Sequence, residues 1–513
     1  MTKTWPSLVL AAALAAPLAT GLARPAAAAD LVIGVDSNMP HLDPANTNDT
    51  LSQSAERMMY QGLYGFDRDM KLIPALAESY EANADATEFV FHLRPGVTFH
   101  DGTPFDAAAV KVNIDRLANP ENRLSRRILV SMVKSVEVVN DQTVRIVLAT
   151  PFGAFLNNMA HPGTFMISPR ALAEHGKDIA THPVGTGPYK FVSFATDTLK
   201  VTRNDKYWRP GVPKVDSVSF RAVPESGTRF AMLQTGEAQF IYPLPAELAR
   251  VAQANANIAV VNAPSIIARF VALNNMKKPF DDIRVRQALN YAIDKNAFTR
   301  VVFSGFAAPL DAPIPPDLAF YSKQGAWPYD PAKARALLAE AGYPNGFETE
   351  LWGATSTASK RAMEFIQQQL AAVGVKVTVA PLEAGLAVAR LWGVKSPADA
   401  TMQMDYNGWS SSTGDADWGL RPLLYSQSFP PNLFNIAYYS SKETDGLIEA
   451  GLATADPARR ATAYTAVQAQ IWKDAPWIFL SVDRLLAGQS KKLTGVHYLP
   501  DGGLLTEDAA LTP

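Results

Sequence analysis

Cysteine is absent from all 513 residues. That excludes a thiol nucleophile, a cysteine-ligated zinc or iron–sulfur centre, disulfide staples and an acyl anchor on an N-terminal cysteine. Histidine is scarce, and the seven present (positions 41, 92, 100, 161, 175, 182 and 497) include no H-E-x-x-H and no other close metal spacing. Excess positive charge is also missing. With 47 basic against 49 acidic side chains and a net charge of -2, the chain lacks the footprint of a nucleic-acid binder. Neither a G-x-S-x-G elbow nor a G-K-[ST] phosphate loop occurs. Gly185-Thr186-Gly187-Pro188 shares only its glycines with such a loop and reads as a tight turn. Past the first 29 residues, no segment is apolar enough to span a bilayer.

What is present is an ordinary globular composition, 48% hydrophobic and 19% charged, in a chain long enough for more than one core. The first 29 residues stand apart. Lys3 precedes an apolar run from Leu8 to Leu22, and Ala26-Ala27-Ala28-Ala29 ends in front of Asp30. This pattern predicts a signal peptide cleaved near Ala29, and hence a mature protein outside the cytoplasm. Its stability must then rest on large cores, since it has no disulfides.

Strands and helices alternate along the rest. Leu31, Ile33 and Val35 begin a strand, and Phe89, Phe91 and Leu93 mark another. Residues 136–138 and 144–147 flank Asn140-Asp141 as a hairpin. Helical spacing links Val110, Ile114 and Leu117, and again Val285, Leu289 and Ala292. Asp330-Pro331 caps a helix that stops at Gly342. Then a strand over 348–352, a helix through Ala362, Ile366 and Leu370, and a strand through Val375, Val377 and Val379 predict a βαβ crossover with parallel strands. The class is α/β with at least two lobes. One polar, aromatic stretch, Tyr406 to Trp418, supplies hydroxyls, acids and flat rings suited either to a polar organic ligand or to a surface loop with structural tryptophans.

Several runs, in order along the chain, resemble the family of extracytoplasmic solute-binding proteins that serve peptide, opine and nickel ABC importers. They are Leu42-Asp43-Pro44, Tyr60-Gln61-Gly62-Leu63, Phe91 through Phe105, Val184-Gly185-Thr186-Gly187-Pro188-Tyr189, Asn204-Asp205-Lys206-Tyr207-Trp208, and Phe280 through Asp294. Within the family, Asn48 through Gln53, Ala231 through Phe240, Trp327-Pro328-Tyr329-Asp330-Pro331 and Gly408-Trp409-Ser410 are most similar to the glutathione-importing branch.

The resemblance implies a periplasmic-binding-protein clamshell: two lobes, three domains, mixed sheets flanked by helices. Domain I would comprise 30–75, 190–275 and 482–513, domain II 76–189 and domain III 276–481, with hinge crossings near 275 and 481. It also implies no cofactor and no catalysis, a periplasmic location, glutathione or another short peptide as ligand, membrane permease subunits as partners, and a monomer. An exported hydrolase is the alternative from another class, and no motif supports it. Carried over residue by residue, the resemblance places Asn48, Asp49 and Thr50 at the ligand, with Arg126, His161, Arg269 and Asn274. From the polar stretch it adds Trp409, Ser410, Ser411, Ser412, Thr413 and Asp415. Ser412 stands where relatives carry an acid for the ligand ammonium, so Asp49 or Asp415 is expected to take that role. The arginines are expected to clamp carboxylates.

Overall fold

The strand Asp30–Val35 buries Leu31, Ile33 and Val35 completely or nearly so, and around it the first of three larger sheets assembles. In the computed structural model, which describes residues 1–2, 30–195 and 197–512, this sheet has seven strands. Their order is Ile258–Ala263, Leu485–Ser490, Phe240–Ile241, Asp30–Val35, Ser217–Ala222, Thr198–Arg203 and Tyr189–Phe194. Asp30–Val35 runs parallel to both of its neighbours. The expected leader falls on residues 3–29, which lie outside the described residues.

A four-stranded antiparallel sheet carries Ala77–Ala82, Glu88–Leu93, Thr143–Leu148 and Val133–Asn140, in that order. The Asn140-Asp141 hairpin is the turn between its last two strands in space. The helix Ala107–Ala118 lies against this sheet and buries Val110, Ile114 and Leu117. Asp106 starts that helix by accepting a hydrogen bond from the Ala109 amide.

The second lobe is built on a six-stranded mixed sheet in the order Ala307–Pro309, Trp477–Asp483, Ile267–Leu273, Met404–Ser410, Glu348–Ala354 and Lys376–Leu382. Its last two strands are parallel and joined through the helix Thr357–Ala371, the expected βαβ crossover. Asp330 caps Pro331–Glu340 by accepting from the Lys333 amide. One face of the sheet packs Val271, Leu273, Leu351 and Met404 against Val285, Leu289 and Ile366 of the helices.

Ile267–Leu273, which the resemblance would leave in the first lobe, pairs on both sides within this second sheet. The chain thus passes between the seven-stranded and the six-stranded sheets at 264–266 and at Arg484. Strands on either side of the crossings lie next to each other in both sheets. Arg484 fastens the pair, donating from Nε to Asn262 Oδ1 at 2.9 Å and from Nη2 to Asn262 O at 2.7 Å.

Candidate ligand site at the seam between lobes

The loop leading from the first strand into the helix Thr50–Met59 is organised by Asp43. Its carboxylate takes Arg116 Nη2 at 2.6 Å and Nη1 at 3.2 Å and accepts from the Ala45 amide. Leu42-Asp43-Pro44 is thus a loop anchor. Thr47, fully buried, approaches Asp43 O at 2.9 Å and Glu56 Oε1 at 2.5 Å. One hydroxyl proton cannot serve two acceptors. Burial pushes the Glu56 carboxyl up to about 8, with Asp43 and Asp49 adding to the rise against the opposing pull of Thr47 and Arg126. Protonated, it donates to Thr47 while Thr47 donates to Asp43 O.

Asp49 caps the helix: its Oδ1 accepts from the Ser52 amide at 2.7 Å, and its Oδ2 is buried without a partner. Asn48 and Thr50 beside it are exposed. Arg126 lies over the same loop, its amide donating to Ala45 O and its Nε to Thr47 O at 2.7 Å, with the carboxyl groups of Glu56 and Asp49 nearby. Glycine at 163 makes room for it, since a Cβ there would stand 2.8 Å from Arg126 Cγ.

His161 closes the seam. It is fully buried, its Nδ1 accepts from the Gly163 amide at 2.9 Å, and so Nε2 carries the proton and faces Ser412 Oγ at 3.1 Å. Burial, reinforced by the charges of Arg126 and Arg57, holds its pKa well below the usual histidine value, so the ring is neutral. Asn157 Nδ2 donates to Thr413 O at 2.9 Å. These two contacts tie the first lobe to the loop that follows Met404–Ser410.

A second path joins the same places. Ile266 N donates to Pro500 O, and Gly502 sits where a Cβ would be 3.0 Å from Thr50 Cγ2. Arg57, from the helix that Asp49 caps, pairs with Asp501, both side chains being more than nine-tenths buried. Ser410 is paired with Ile267 across the strands, and its Oγ is buried without a partner, as are Arg57 Nε, Ser481 Oγ and Asp483 Oδ1. Buried polar atoms are ordinarily satisfied. Unsatisfied polar atoms thus gather along the 47–57 segment and at the sheet end.

Three expected contacts are placed otherwise. Asp415 is fully buried and committed to Arg460, at 2.9 and 2.8 Å, while its Oδ1 also caps the helix Ala416–Leu424. Both of its oxygens thus accept from the Arg460 guanidinium. Asn274 is buried at the other end of its strand, donating to Met402 O and accepting from the Met276 amide. Seven residues of extended chain from Ile267 put it roughly 20 Å from the crossing. Arg269 donates twice to Asp483 Oδ2, at 2.9 and 2.6 Å, so its charge is already met. Ser411 and Thr413 are buried, and Trp409 Nε1 donates to Trp418 O, leaving one ring face toward Phe434.

The match to known proteins decides the family. Residues 71–430 fit the model described as bacterial extracellular solute-binding proteins, family 5 middle. The chain belongs to that family. The "Glutathione-binding protein GsiB" of Pectobacterium atrosepticum is 51% identical over 488 residues, covering 95% of each chain. Among solved structures, HbpA2 from Haemophilus parasuis superposes with a TM-score of 0.85 at 26% identity, over 94% of this chain and all of that one. The periplasmic binding protein DppA from Helicobacter pylori, in complex with the peptide STSA, gives 0.78 at 28% identity, over 94% and 98%.

As a member of the solute-binding family, the chain has the expected clamshell fold. Among the described residues, no group of three or more His, Asp or Glu could hold a metal ion. Glu56, Arg57, Asp501 and Asp483 were not legible as site residues. Arg57, Asp501 and Asp483 have partners more than 200 residues away, and Glu56, which meets Thr47 nine residues before it, stands in no periodic or motif context.

Proposed function

We propose that this protein is the binding component of an ABC importer, exported by a leader cleaved near Ala29, that captures glutathione or a similar short peptide in the periplasm as a monomer. It passes the ligand unchanged to the membrane permease subunits. One observation carries the reading: 51% identity, over nearly the whole chain, to a protein named for glutathione binding. The site chemistry agrees with it. Glutathione has one ammonium and two carboxylates. The seam offers Asp49 Oδ2 as an acceptor for the first and Arg126 as a cation for a carboxylate, with Ser410 and Ser412 as hydroxyl partners. Arg269 holds Asp483 in place and does not clamp the ligand itself.

In this reading the first lobe consists of residues 30–263 and 485–512, with the four-stranded sheet as a subdomain, and the second lobe of 267–483. The ligand binds the closed arrangement better and shifts the population toward it. The test is isothermal titration of the mature chain with glutathione, followed by mass spectrometry of the released ligand. One site per chain and intact tripeptide are expected. Heat with dipeptides but none with glutathione would move the ligand to another peptide, and turnover would reinstate the hydrolase.

A further inference from the structure

On the face of Met404–Ser410 that carries Asn407 and Trp409 lies a pocket of about 130 Å³. Its walls are aromatic: Phe270, Trp392, Trp409, Phe434 and Trp477, with Ala437 at the side. The rings are set against one another, Phe270 stacked on Trp477 at 3.9 Å and Trp409 at 5.3 Å from Phe434. Trp392, Asn407, Trp409 and Phe434 are half-buried, so the pocket opens outward. Trp392 Nε1 is buried without a partner, while Trp409 Nε1 is held by Trp418 O. Ser412 at the seam follows Trp409 by three residues, in the turn that begins where the strand ends at Ser410.

Nothing in the ammonium and carboxylate contacts described above uses this pocket. An apolar cavity of roughly 150 Å³ takes a benzene, so this one suits a group near the size of a single ring, and a free thiol would leave most of it empty. Sulfur beside aromatic ring edges is itself favourable. We propose that the pocket receives an apolar substituent on the ligand's cysteine sulfur, making thioether conjugates of glutathione a preferred ligand class. This rests on the glutathione reading above. The chain has no cysteine to exchange with the ligand, and a thioether is chemically inert here, so the step is binding alone.

At about 25 cal/mol per Å² of apolar surface buried, roughly 55 Å² of substituent is worth a factor of ten in affinity. Isothermal titration of the mature protein with glutathione, S-methylglutathione and S-benzylglutathione should therefore give tightening in that order, by about tenfold or more from first to last. Phe434→Ala should abolish the preference and leave glutathione affinity within about twofold, with Phe434→Leu as the second variant should the first fail to fold. If glutathione binds and S-benzylglutathione is no tighter, the pocket assignment is overturned and the glutathione reading stands. If the preference survives both Phe434 variants, the substituent sits elsewhere and the assignment is again overturned. If no glutathione derivative binds while a dipeptide does, the underlying reading is what fails.

Discussion

The two oxygens of the Asp49 carboxylate have separate tasks, one on the Ser52 amide and one buried without a partner. Alanine at this position would remove both at once and cost about 1 kcal/mol of stability through the lost cap. Asparagine in its place would keep a capping oxygen and lose the charge. A charge-assisted hydrogen bond contributes about 1.5–3 kcal/mol, so Asp49→Asn should weaken glutathione binding roughly 10- to 150-fold with little change in melting temperature. Affinity retained within twofold would pass the ammonium to Asp483. Glu56 supplies a pH test. Its carboxyl titrates near 8 in the folded chain against 4.5 unfolded, so the native state holds the extra proton between those values and stability falls as pH rises through them. Glu56→Gln removes that slope. Denaturant unfolding of the two proteins should show the variant gaining on the order of 2–4 kcal/mol relative to wild type between pH 5 and pH 8. An equal difference at both pH values would show that Glu56 does not titrate there.

The loop after Trp409 is held from behind by a helix 45 residues further on, through the pair of Asp415 and Arg460. Arg460 lies inside Pro457–Asp474, with its guanidinium 4.7 Å above the Phe320 ring. Removing one partner of such a buried pair strands the other charge and typically costs about 3–5 kcal/mol. Arg460→Ala should show a loss of that size in chemical unfolding, although Arg460 does not reach the proposed ligand contacts. At this scale the chain is legible in part. Glu348–Ala354, Thr357–Ala371 and Lys376–Leu382 follow from periodicity and capping alone, because a crossover is local. The Asp330 and Asp106 caps are equally local. His161 meeting Ser412, 251 residues away, and Arg57 meeting Asp501, 444 away, leave no periodic trace. The same holds for Asp415: an acid in a polar run looks the same whether it faces a ligand or a buried arginine, and only the packing of Pro457–Asp474 tells them apart.

For the whole molecule, a guest at the seam touches both lobes and so couples their stabilities. Glutathione at a hundred times its dissociation constant should raise the free energy of unfolding by about 2.7 kcal/mol. A shift of the same size should appear whether unfolding is followed by tryptophan fluorescence or by far-ultraviolet circular dichroism. The first probe reports mainly on the second lobe, which holds every described tryptophan except Trp208. A shift confined to one probe would mean that the ligand sits within a single lobe. The strands around Arg484 bear on the molecule's making as well as its motion. Trp477–Asp483 is an interior strand of one sheet and Leu485–Ser490 an interior strand of the other. During synthesis, at roughly 5–20 residues per second, all the residues up to Pro476 emerge before either arrives, and until they do each sheet lacks the strand that joins one of its edge strands to the rest. The two lobes therefore finish together and late.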